Sequence, residues 1–245
     1  LLLWGFSAAA MIRVYCDFWG YTEIARGIAN FFGVQLSINF RQPFLAKNLA
    51  GFWTRWHITL TRWLMDYVQV PLMKRFRNEP SRSFVAVFTL VLIGLWHGAS
   101  WNFIFFGLFQ GVVLIVWRHC ENIPYIRQII LNQWVSRTLL LIILMLSAPM
   151  FYIDDIAQLQ QVLTSMISFQ TTDIEPLRYL NSLLIAAFGF TLVLCHDLLA
   201  EYRGFKVENI IQKSITTRLL VGGLLFLSVL LAGKPSGGEF VYFAF

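Results

Sequence analysis

Two histidines in this chain stand where an ionisable group is costly to keep. His97 lies in the octet "GLWHGASW", Gly94 to Trp101, between two tryptophans in a long apolar run. His57 lies in "FWTRWHITLTRWLMDY", Phe52 to Tyr67. Burying an imidazole costs free energy unless it is paired or neutral, and inside a membrane such a group marks a working site. A neutral imidazole can take a proton from a hydroxyl while that oxygen attacks an electrophile, then return it to the leaving group. The sequence has no Gly-rich phosphate loop, metal-ligand cluster or G-x-S-x-G elbow. Acyl transfer from a thioester to an alcohol fits this inventory, with His97 as general base. Bis-histidine haem ligation by His57 and His97 and a non-catalytic transport or scaffold role are alternatives in other classes. A bland reading, two core histidines satisfied by their neighbours, stands beside them. Periodicity alone does not separate these.

The elements that must position the histidines can be read from spacing. Trp53, Trp56, His57, Leu60 and Leu64 fall on one face of an α-helix, while Arg55, Thr59, Arg62 and Asp66 take the other. The arginines argue against a lipid-buried span, so Phe52–Tyr67 is expected to be one interfacial or re-entrant helix, with an Arg62–Asp66 pair and an end at Pro71. The run Phe84–Trp117 is too long for one ordinary crossing. Its flanks are both basic, so the chain is expected to enter and return, breaking at "WHGAS" and leaving His97 at membrane depth facing a cavity, with a single long tilted crossing as the alternative. His119 and His196 are read as interfacial residues at span ends.

The chain's 245 residues are 58% hydrophobic and 13% charged, with mean hydropathy +0.64. A soluble domain carries about 25% charged residues, so an integral membrane protein is expected. Apolar spans can be marked at Leu1–Tyr15, Phe84–Trp117, Thr138–Ile153, Leu180–Leu199 and Leu219–Ala232. The net charge of +6 sits in loops between spans, the pattern of cytoplasmic anchoring rather than of nucleic-acid binding. Arg41 to Arg82 and Arg118 to Arg137 are basic stretches on one side. Asp154, Asp155, Asp173 and Glu175 fall on the other. Cys16, Cys120 and Cys195 are too few and scattered for a disulfide framework or a zinc site.

Several stretches, in order, resemble the bacterial branch of the membrane-bound O-acyltransferase family. They are "YCDFWGYTEIARGIANFFG", "NFRQPFLAKNLAGFWTRWHITLTRWLMDYVQVPL", "GLWHGASWNFIFFGLFQG" and, more weakly, the terminal "FVYFAF". The match covers most of Tyr15 to Gln110. It implies an all-α, polytopic transmembrane bundle with re-entrant or interfacial helices. It also implies one membrane domain, 1–245, forming the C-terminal part of a longer acyltransferase core whose amino-terminal helices are missing here. By position, His97 corresponds to the family's invariant histidine and His57 to its second motif histidine, both expected to be catalytic. Trp96, Trp101, Arg55, Trp56 and Asp66 are expected to support substrate binding. The resemblance implies no bound cofactor or metal, and an acyl thioester (acetyl-CoA or an acyl carrier) as co-substrate. It further implies O-acetylation of an extracytoplasmic polysaccharide such as alginate at the bacterial inner membrane, with a periplasmic acetyltransferase-type partner. Three departures stand out: Trp19 where a small serine is usual, "VPLMKRFRN" (Val70 to Asn78) in place of the usual turn, and "APMFYIDDI" (Ala148 to Ile156) without the usual arginine.

Overall fold

The computed structural model of the protein describes residues 2–168 and 176–204, together with 214–217, 219, 220 and 223. Among the described residues every regular element is helical. The expected span Leu219–Ala232 falls almost wholly outside them, as do Asp173 and Glu175. The first helix, α1 (Leu2–Phe31), runs well past the expected end at Tyr15. A 3-10 turn at Pro43–Leu45 leads to α2 (Leu49–Trp53), α3 (Ile58–Leu64), a π-helical turn at Met65–Gln69 and α4 (Val70–Arg75). Two long apolar helices follow, α5 (Glu79–His97) and α6 (Trp101–Glu121). The short α7 (Pro124–Leu131) leads to α8 (Gln133–Ser147), which runs into a 3-10 turn at Ala148–Phe151. Last are α9 (Ile156–Ser168) and α10 (Pro176–Arg203).

Three helical segments are long and apolar enough to cross a bilayer: Glu79–His97, Trp101–Glu121 and Gln133–Phe151. The expected entry and return of Phe84–Trp117 is present as the α5–α6 hairpin, its break at Gly98–Ser100. At 19 and 21 residues each arm is itself long enough to cross, at about 1.5 Å of rise per residue, so the pair need not be a half-depth loop. The arms pack backbone to backbone. A Cβ at Gly94 would lie 2.1 Å from the Phe103 carbonyl oxygen, and one at Gly107 would lie 2.5 Å from that of Leu90. Small residues at such a seam let membrane helices approach closely.

Polar clamps tie the remaining elements to the hairpin. Asn132 caps α8, its side-chain oxygen accepting from the Trp134 and Val135 amides. Buried Arg137 donates from Nε to the Leu45 carbonyl at 3.1 Å and from Nη1 to the Tyr202 hydroxyl at 2.8 Å, joining α8 to the Pro43–Leu45 turn and α10. The core between them is aromatic: Tyr15 sits against Phe40, Phe44, Trp19 and Trp56 at centroid distances of 5.0–6.0 Å.

Two expectations for the Phe52–Pro71 stretch are corrected. It is not one helix, because α2 stops at Trp53 and α3 starts at Ile58, with His57 between them in the left-handed region (φ 42°, ψ 54°). Nor does Pro71 end the helical path. The π turn lets the Val70 amide donate to the Met65 carbonyl, and Pro71 then takes an early position in α4. A wide turn moves the carbonyl that a proline ring would otherwise meet, so the chain absorbs Pro71 without stopping. Arg62 and Asp66 are exposed and form no ion pair with each other. His196 lies in the C-terminal part of α10, which runs on to Arg203, and its ring lies 5.1 Å from that of Trp19. His119 does sit in the last turn of α6, with Nδ1 2.9 Å from the Ile115 carbonyl.

Candidate active site

His97 is the last residue of α5, because Gly98 leaves the helix in extended backbone (φ 167°). A side chain on Gly98 would strike the Phe103 ring, which lies edge to face with Phe151 at 5.5 Å. The imidazole is 7% exposed and is boxed by Trp96, Phe103 and Phe151 at 5.1, 6.0 and 5.0 Å. It lines a cavity of about 70 Å³ whose other walls include Phe44, Trp53, Trp56, Phe106 and Leu144. Polar lining there is confined to His97, Ser147 and Tyr152. Asn102 locks this corner: fully buried, it donates from Nδ2 to the Met150 carbonyl at 2.9 Å, fixing the turn that carries Phe151. A polar residue five positions after His97 in an apolar run is the signal that could have found it.

His57 is placed by a backbone clamp. The Arg41 amide donates to the Arg55 carbonyl and the Ile58 amide to the Asn39 carbonyl, both at 3.0 Å. Asn39 also accepts at Oδ1 from the Thr59 amide (3.1 Å) and hydroxyl (2.7 Å). These bonds hold a non-glycine residue at positive φ, a conformation that persists only where its surroundings over-determine it and that clusters at functional sites. The ring is 8% exposed, between Phe18 at 4.7 Å and Trp96 at 5.3 Å. Burial pulls its imidazole down to about 4, so it is neutral at cellular pH. His57 faces a separate, larger cavity of about 570 Å³, lined also by Asp17, Tyr21, Arg26, Ser37 and Asn39.

The two histidines thus serve different spaces, and Trp96 touches both rings. Trp56 joins them on the side of the His97 cavity, stacked on Phe52 at 5.4 Å. The structure does not bring the other expected residues into either cavity. Trp101 is 63% exposed and pairs with Phe105. Arg55 makes a two-pronged ion pair with Glu201, both contacts at 3.2 Å. Asp66 is exposed on the π turn. Trp53 and Phe151, which sequence spacing did not single out as site residues, do line the His97 cavity. Trp19, the departure from the usual serine, stacks on Tyr15 at 5.5 Å and so fills the space between α1 and α10.

Such an arrangement can take a proton from a hydroxyl in a small, nearly apolar space. Residues 1–153 match the sequence model described as "MBOAT, membrane-bound O-acyltransferase family". The chain is similar to a peptidoglycan O-acetyltransferase of Helicobacter pylori, 43% identical over 117 residues, covering 47% of this chain and 22% of that protein. It is also similar to a probable alginate O-acetylase of Azotobacter vinelandii, 31% identical over 208 residues, covering 81% of this chain and 39% of the relative. A teichoic acid D-alanyltransferase of Streptococcus thermophilus is 34% identical over 110 residues, covering 42% of this chain and 26% of its own length. The chain therefore spans well under half the length of these relatives.

Proposed function

The chain belongs to the membrane-bound O-acyltransferase family, and on that premise we propose that it is an acyltransferase carrying an acetyl group from a thioester toward hydroxyls of an extracytoplasmic polysaccharide. The observation that carries this reading is His97, a buried imidazole on the wall of a small and nearly apolar cavity. In the reaction the acceptor oxygen attacks the thioester carbonyl carbon while His97 takes the hydroxyl proton. The carbon–sulfur bond then breaks, the departing thiolate receives that proton, and the products are an ester and a free thiol. The aromatic walls Phe106 and Phe151 limit water beside His97, which protects the thioester from hydrolysis. His57, in the larger space beyond Trp96, orients the donor. Acetyl-CoA or an acyl carrier supplies the thioester.

Three features support an inner-membrane, multi-pass placement with the polymer on the far side: the three apolar helical segments, the basic loops at one end of the α5–α6 hairpin, and the relatives named for alginate, peptidoglycan and teichoic acid. A periplasmic acetyltransferase-type partner completes the transfer in this reading. Haem ligation is the weaker assignment, since about 70 Å³ beside His97 has no room for a porphyrin. The test is the ester content of the envelope polymers in a strain lacking the gene and complemented with the whole protein, wild type or His97→Ala, at matched membrane levels. Loss of the esters supports the assignment. Near-normal acetylation by His97→Ala defeats it, and a Soret band in the purified protein would favour haem instead.

A further inference from the structure

Behind the His97 cavity lies a second one, of about 140 Å³, between α2, α3, α5 and α6. Its walls include Thr61, Ala86, Leu90 and Leu114, and it reaches Arg118 at the end of α6. The linings of the two cavities share one residue, Trp53. Its indole is therefore the partition, 8% exposed and held edge to face by Phe52 at 5.4 Å and Phe106 at 6.3 Å. Among the described residues nothing hydrogen-bonds its Nε1, so the ring is held in place by packing alone.

Size gives this partition a consequence. The space beside His97, about 70 Å³, is half the size of the one on the far side of the indole, about 140 Å³. A propionyl or butyryl tail directed from His97 toward α5 and α6 meets the plane of the indole, with empty space beyond it. We infer that Trp53 is the stop that limits the transferred acyl group to two carbons, and that removing its ring opens the second cavity to longer chains. The inference rests on the reading that the acyl group sits beside His97 during transfer.

The experiment uses the whole protein in membranes, supplied in turn with acetyl-, propionyl- and butyryl-coenzyme A, and reads ester formed on the polymer by mass spectrometry. The wild type should strongly prefer acetyl. Trp53→Leu should raise the butyryl-to-acetyl ratio on the order of tenfold or more, because one methylene in a filled pocket is worth about 10–200-fold in discrimination. Trp53→Phe, with a smaller ring, should move the ratio the same way by less, and it decides the matter if the leucine variant does not accumulate. An unchanged ratio in the variants, butyryl used as well as acetyl by the wild type, or loss of all transfer by Trp53→Leu at wild-type protein level each overturn the stop. Acetyl transfer surviving His97→Ala would instead defeat the underlying reading, as would a wild type that uses none of the three donors.

Discussion

At the scale of single residues the two histidines should separate by experiment, because they occupy different cavities on either side of Trp96. Losing a general base costs typically 10²–10⁴-fold in rate, so His97→Ala should bring polymer acetylation to background. His57→Ala should impair transfer less, and chiefly at low donor concentration, if its work is to orient the donor. His57 also gives the fold a pH signature. Its imidazole holds a pKa of about 4 in the protein against an ordinary 6.5. Between those values the unfolded chain binds the proton and the folded one does not, so stability rises with pH across that window. Thermal unfolding in detergent should therefore lose midpoint progressively as pH falls from about 6.5 toward 4, and His57→Gln should flatten the slope. An unaltered slope in that variant would put the acid sensitivity elsewhere. Both histidines were legible in the sequence as polar groups in expensive places. Trp53 was legible only as one more aromatic on a helical face, since its importance comes from having a void on each side.

At the scale of elements, the sequence and the structure agree where glycine does the work and part where backbone does. The break at "WHGAS" was readable because an over-long apolar run between basic flanks must turn somewhere, and two glycines mark the place. The break before His57 was not. Trp53, His57 and Leu64 are all buried, as one continuous helix would also have them, so the 3.6-residue pattern survives a change of backbone path. The left-handed turn at His57 is imposed by the Asn39 and Arg41 clamp, which is remote in sequence. The hairpin seam supplies a matched test. Gly107→Ala places a Cβ 2.5 Å from the Leu90 carbonyl and must push α5 and α6 apart, which at typical overpacking costs should destabilise by about 1–3 kcal/mol. Gly27→Ala in α1, where nothing lies within 4 Å, should leave stability unchanged or raise it by up to about 1 kcal/mol through helix propensity. Thermal scans of the two variants in the same detergent compare them. Equal midpoints would mean that the seam is not close-packed.

At the scale of the whole molecule, composition alone predicts a membrane protein, and the helices add an orientation that loop charge could only suggest. The hairpin puts the start of α5 and the end of α6 at one end of the molecule, with Arg82 and Arg118 beside them. Arg137 near the start of α8 belongs to that end as well, since α7 is too short to recross. The chain then runs up α8 to Asp154 at the other end, where Asn102 Nδ2 lies 3.5 Å from its carboxylate beside the first turn of α6. The positive-inside bias predicts that the arginine end faces the cytoplasm. Cysteines placed at Ser81, Asn122 and Asp155, in a background with Cys16, Cys120 and Cys195 replaced, read this directly with a maleimide that does not cross membranes. In intact spheroplasts Asp155→Cys should label, whereas Ser81→Cys and Asn122→Cys should label only after the membrane is opened. Labelling of Ser81→Cys and Asp155→Cys from the same side would mean that α5 and α6 do not carry the chain across. His97 would then sit on a hairpin dipping in from the arginine side, and the polymer would have to reach it from a different face.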